Sequence, residues 1–245
     1  MQHSYAIELS RWYQSPLGQM VVQSIARKLQ LYLPNYLGNY LLQMGVPTQT
    51  QWLLSSPICN RLLLSELWQP TSMAQVVVRD RLPVLPGSID VALVMHSLES
   101  TDNPHNLLAE MYQALHGEGY LLIIGFNPWS AFGLRRWLGS ANLAPWNRHW
   151  RRAGQIKRWL TQAQFTVHRL EYLCYYPPIN LQQVLKRLFF LETLGEIALP
   201  YPGGLYLLIA QKITAAPTLI RPYWQIKPTS LWQRLRQPSA NRTLS

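Results

Sequence analysis

Residues able to do chemistry fall just after short apolar runs, where a buried strand would end. His96 follows Asp90-Val91-Ala92-Leu93-Val94-Met95. An imidazole there can take a proton from a hydroxyl, carbon or nitrogen acceptor, and it equally reads as a satisfied histidine in a pocket wall. Glu66 stands 21 positions after Gly45. That is near the offset of about 20 residues at which an acid ending a second strand accepts both hydroxyls of a ribose. The same residue also reads as an ordinary exposed acid before Trp68. Asp80 and Arg81 end a third run, and Phe126-Asn127-Pro128-Trp129 ends a fifth. The two cysteines, Cys59 and Cys174, lack a CxxC partner or neighbouring histidine and read as buried thiols. The six histidines show no helical ligand spacing, so no metal site is expected.

These positions need elements to hold them. Ser15-Pro16 predicts a helix start, and Leu17, Val21, Ile25, Leu29 and Tyr32 repeat at helical spacing up to Pro34. Strands are predicted at Tyr40–Met44, Arg61–Glu66, Gln75–Arg79, Asp90–Met95 and Tyr120–Gly125. Asn103-Pro104 opens a helix through about Leu115, and Gly117 and Gly119 close it. A helix at Gly154–Ala163, a strand at Phe165–Tyr172, a helix at Leu181–Ile197 and a last strand at Leu205–Lys212 complete the pattern. Strands apolar throughout and alternating with helices predict an α/β fold, a doubly wound, mostly parallel sheet with its last strand antiparallel. Ligands of such sheets lie outside the carboxyl ends of the strands, where the chemistry-bearing residues cluster.

The segment from Leu82 to Glu99, with Leu82, Pro83, Ser88, Asp90, His96, Leu98 and Glu99, resembles the LPxxxxSxDxVxxxHxLE signature of class I S-adenosylmethionine-dependent methyltransferases. Pro104, Leu107-Leu108-Ala109-Glu110, Ala114-Leu115 and Gly117–Leu122 continue it, and Gly125–Arg136 is similar to a block of a bacterial, type 11-like branch. The resemblance runs from about Leu41 to Lys212. It implies a Rossmann-like fold, S-adenosylmethionine as cofactor, and methyl transfer. The cofactor would lie over Gly45, Glu66, Asp80, Arg81, Met95 and His96, with His96 the candidate catalytic residue and Asn127 and Trp129 at the acceptor pocket.

Three departures from the family pattern stand out. The family's first motif is an acid followed by alternating glycines, and here Gln43-Met44-Gly45-Val46-Pro47 keeps only Gly45. Pro47 offers no N–H, and Val46 adds bulk where backbone should approach the ligand. Val78 occupies the aligned place of the adenine-contacting acid, with Asp80 two residues nearer. Asn127-Pro128-Trp129 looks like the [DN]PPY motif of amino-group methyltransferases, yet it follows the fifth strand instead of the fourth.

With 48% hydrophobic residues and 13% charged, the chain of 245 residues is neither disordered nor coiled-coil. Its organisation is expected as an N-terminal helical segment (1–38), the sheet domain (39–213) with lid insertions around 127–160 and 175–203, and a basic irregular tail (214–245). The net charge is +11, and no acid occurs between Glu118 and Glu171 while eight Lys or Arg do. Such a surface attracts nucleic acid, anionic lipid or an acidic substrate, or serves as solubilising charge. A small-molecule acceptor is expected, because Trp129, Trp137, Trp146, Trp150 and Trp159 suit an apolar or aromatic ligand. The alternatives are an RNA methyltransferase and a degenerate scaffold protein. No apolar run reaches the roughly 18 residues of a membrane span and no secretory signal is visible, so a cytoplasmic protein is expected.

Overall fold

The computed structural model describes residues 2–46, 50–65, 74–77, 82–138, 145–178 and 203–214. Two helices open the chain, α1 (Gln2–Tyr13) and α2 (Pro16–Tyr32). Ser15 is the N-cap of α2, its hydroxyl accepting from the Gly18 N–H at 3.1 Å, and Pro16 takes the first helical position. Gly18 lets the corner close, because a Cβ there would collide with the Trp12 carbonyl oxygen. α1 buries Tyr5, Leu9 and Tyr13 as one stripe at four-residue spacing, and α2 buries Leu17, Val21, Ile25 and Leu29.

Seven strands follow in one sheet: β1 (Tyr40–Gly45), β2 (Asn60–Ser65), β3 (Ala74–Val77), β4 (Ile89–Met95), β5 (Leu115–Phe126), β6 (Phe165–Leu173) and β7 (Leu205–Lys212). Their spatial order is β3-β2-β1-β4-β5-β7-β6. β1 lies parallel to β2 and β4, and β4 parallel to β5, while β7 runs antiparallel between β5 and β6. The doubly wound sheet with an antiparallel last strand is therefore present.

Between the strands lie α3 (Ser97–Ser100), α4 (Pro104–Ala114), α5 (Ala131–Leu138) and α6 (Ala153–Gln162). One sheet face packs against α1 and α2 through Leu41, Leu93 and Leu122, and the other against α4 and α6 through Leu42, Val94 and Ile123. Alternate residues of β1, β4, β5 and β7 serve opposite cores, which is why these strands read as apolar throughout. Asn103 caps α4, its side chain accepting from the Asn106 N–H at 3.1 Å.

Three features differ from the sequence reading. α1 is an additional helix. β5 begins at Leu115, pairing Ile89 with Leu115 and then, after a register shift, Val91 with Tyr120. Glu118 takes a positive φ of 68° in that irregular stretch. Cys59 is exposed and only Cys174 is buried, because Cys59 stands one residue before β2, outside the core. The Leu181–Ile197 helix and the tail from residue 215 lie outside the described residues.

Candidate functional site

β1 and β4 are neighbours from which the chain departs in opposite directions, and a cleft of about 330 Å³ opens at their carboxyl ends. Its floor is Met44, Gly45, Val46 and Met95, and its roof is Tyr5, Ala6 and Leu9 of α1. Ser97, Ser100, Asp102 and Asn103 form the rim toward α4, with Leu82, Leu107 and Glu110 at the far end. The size falls within the usual range for small-ligand sites.

Gly45 is required by the backbone itself. Its φ is +98°, and an added Cβ would strike the Met95 carbonyl oxygen. That carbonyl also accepts from the Val46 N–H at 3.3 Å, so β1 and β4 stay stitched past their last paired residues. The β1–β2 connection, where a doubly wound sheet ordinarily carries a crossover helix, holds among its described residues a 3-10 turn of five, Gln51–Ser55. Trp52 of that turn is buried and donates its indole N–H to Gln43 Oε1 at 2.9 Å. Gln43, at the family's acid position, is thus engaged by the protein.

His96 lies at the end of β4 with φ 57° and ψ 4°, a left-handed conformation that costs about 1–3 kcal/mol unless surroundings impose it. Those surroundings are present. Tyr13 Oη is 2.6 Å from Nε2, Glu99 Oε2 is 3.2 Å from Nδ1, and the Phe126 ring stacks at 4.4 Å. Glu99 is in turn fixed by the Phe126 N–H, which donates to Oε1 at 2.5 Å. In the neutral ring the carboxylate must face Nδ1–H, leaving Nε2 to accept from the tyrosine. Burial holds the Tyr13 pKa well above its ordinary value, and the Glu99 charge adds to that, so the hydroxyl keeps its proton.

Tyr5 is a second hydroxyl in the roof. Burial, then Glu99, pushes its pKa well up, and its oxygen is buried without a hydrogen-bond partner. Arg148 lies over its ring at 5.2 Å from the centroid. No lysine or arginine appears among the described residues lining the cleft, although the chain carries +11.

Of the expected site residues, Gly45, Met95 and His96 meet in this cleft. Glu66, Asp80 and Arg81 lie outside the described residues. Asn127 is buried and engaged, accepting from the Trp129 N–H of its own turn at 3.1 Å and donating to the distant Gly203 carbonyl at 3.0 Å. Trp129 is 62% exposed. Neither of these two lines the cleft. Tyr5, Leu9 and Tyr13 are the residues sequence reasoning missed, and their four-residue stripe was the available signal.

Sheet order and cleft position define a Rossmann-like domain of the methyltransferase type. The chain belongs to the family described as "Methyltransferase domain", whose model matches residues 5–187. It is 29% identical over 125 residues to Escherichia coli (strain K12) "Uncharacterized protein YafS", a match spanning 51% of each chain. Among solved structures it resembles an S-adenosylmethionine-dependent methyltransferase of Thermotoga maritima described as a possible histamine N-methyltransferase. There the TM-score is 0.61 at 16% identity, covering 86% of this chain and 97% of that one. It also resembles a Haloferax volcanii putative methyltransferase solved with its Trm112 activator, at TM-score 0.60 and 12% identity, covering 84% and 98%.

Proposed function

We propose that the protein is an S-adenosylmethionine-dependent methyltransferase acting on a small acceptor. The observation that carries this is a cleft whose described lining holds no lysine or arginine in a strongly basic chain, placed where such folds hold a nucleoside. A sulfonium avoids lysine and arginine, whereas a phosphate-bearing dinucleotide seeks them. The residues present fit the cofactor. Met44, Gly45 and Met95 offer it a close backbone, Leu82 and Leu107 an apolar slot for a base, and the orphaned Tyr5 hydroxyl a polar partner.

When bound, the cofactor supplies an already activated methyl group. The chain must then position an acceptor and exclude water. α1 does the excluding as roof. Because both ring nitrogens of His96 are engaged, we assign it to fixing the wall, with Tyr13 and Glu99 as its positioning residues. An acceptor could reach Nε2 only by displacing the Tyr13 hydroxyl. Glu66, Asp80 and Arg81 keep their proposed cofactor-side roles, and Asn127 that of shaping the turn beside the pocket.

Isothermal titration with S-adenosylhomocysteine tests the reading. Saturable heat is expected, with none from a dinucleotide. Folded protein giving no heat at millimolar ligand would favour the second reading, a scaffold that has lost the cofactor. The short turn in place of the β1–β2 helix is what supports that alternative.

A further inference from the structure

Three exposed large apolar side chains lie on or just before α5. Trp137 is 82% exposed and Leu134 55%, three residues apart and so on one helix face, and Trp129 leads into the helix at 62%. The opposite face of α5 is anchored, since Phe132 is fully buried against Trp146 and Tyr176. The outward residues are therefore rigidly presented.

Two exposed arginines adjoin them. The exposed Arg152 lies over the Trp129 ring at 4.7 Å, and the exposed Arg135 over Trp146 at 5.4 Å. From residue 119 to residue 170 the sequence contains no acid. We propose that Trp129, Leu134 and Trp137, flanked by Arg135 and Arg152, dock the protein on an anionic lipid surface. Tryptophan and leucine enter the headgroup boundary while arginines meet lipid phosphates, an arrangement in which neither group is left without a partner. This surface is independent of whether the cleft binds a methyl donor.

Charge and shape select this occupant. A second copy of the chain would bring its own arginines against these, so self-association is opposed by like charge. Nucleic acid needs several open ring faces for successive bases to stack on; Trp137 offers one, but one face of Trp129 already carries Arg152 and Leu134 has no plane. The docking surface also connects to the roof of the cleft. Asn147 donates to Glu8 Oε2 at 3.0 Å and Arg148 covers Tyr5, joining the segment between α5 and α6 to α1.

Flotation of the full chain with phosphatidylcholine vesicles, with and without phosphatidylglycerol, tests the proposal. Partition onto the anionic vesicles is expected, weakening with salt. The Leu134→Ala, Trp137→Ala double variant should reduce it about tenfold or more, and the Arg135→Glu, Arg152→Glu pair should reduce it on anionic vesicles alone. All four residues are exposed, and a thermal melt confirms that the variants fold. No flotation, or flotation unchanged in the apolar variant, overturns the proposal. Retention by a tRNA pool without vesicle binding would reassign the surface to nucleic acid.

Discussion

Tyr13 Oη lies 2.6 Å from His96 Nε2, across 83 residues of sequence, and ties the end of the first helix to the end of the central strand β4. Both partners are buried. The bond fastens the cleft's roof to its wall, so roof position and the left-handed His96 backbone are determined together.

Tyr13→Phe should therefore lower stability by about 1–3 kcal/mol, because Nε2 loses its donor in a site water cannot reach. Urea unfolding measures it, and hydrogen exchange should quicken in α1. An unchanged midpoint would mean that the bond contributes nothing.

Tyr5→Phe should behave oppositely. Its hydroxyl is buried and unpartnered in the free protein, so removing it should leave stability unchanged or raise it by about 1 kcal/mol. If that hydroxyl serves the ligand, affinity for S-adenosylhomocysteine should fall by roughly tenfold in the same variant. Loss of stability with affinity intact would rule out the ligand role.

Gly45→Ala should be severe, because both the positive φ and the Met95 carbonyl oppose a Cβ, and neither is a flexible side chain. A loss of at least about 2 kcal/mol is expected in thermal or urea unfolding, with loss of cofactor-analogue binding. A stable, binding-competent variant would show that β1 and β4 can separate at their ends.

Glu171 of β6 should give an acid-dependent effect. Burial raises its pKa, but hydrogen bonds from Tyr32, Lys28 and Arg169 and the charge of Lys28 outweigh that and leave it below the ordinary value. A depressed carboxylate stabilises the fold above its unfolded pKa, near 4.5, and that stability is lost as pH falls through the folded value. Glu171→Gln should cost about 1 kcal/mol at neutral pH, because solvent screens this partly exposed cluster, and almost nothing in stronger acid. A pH-independent difference would point to packing instead.

Thiol labelling should separate the cysteines. Cys59 should react with a maleimide in the native protein and Cys174 only after unfolding. Equal native rates would contradict the burial of Cys174.

The sheet was legible because β1, β4 and β7 are buried on both faces, so apolar runs bounded by polar residues marked them directly. The starts of α2 and α4 were legible because Ser15 and Asn103 make local caps. α1 was less plain, since it has no acidic first turn and the exposed Ile7 adds an apolar residue off its buried stripe. The opening of β5 was hidden by Gly117 and Gly119, which signal a turn locally while β4 imposes pairing from outside. In the site, Gly45 and His96 were visible from position alone. The Tyr13–His96–Glu99 chain was not, because contacts between residues far apart in sequence leave no local periodicity.

The placement of β7 between β5 and β6 also bears on how the chain is made. Its two neighbours are translated first and face each other across a gap that only residues 205–212 can fill. Until that strand leaves the ribosome, both edges stand unpaired. The nascent chain thus carries its greatest hazard of mispairing and aggregation late in synthesis, when most of the sheet already exists.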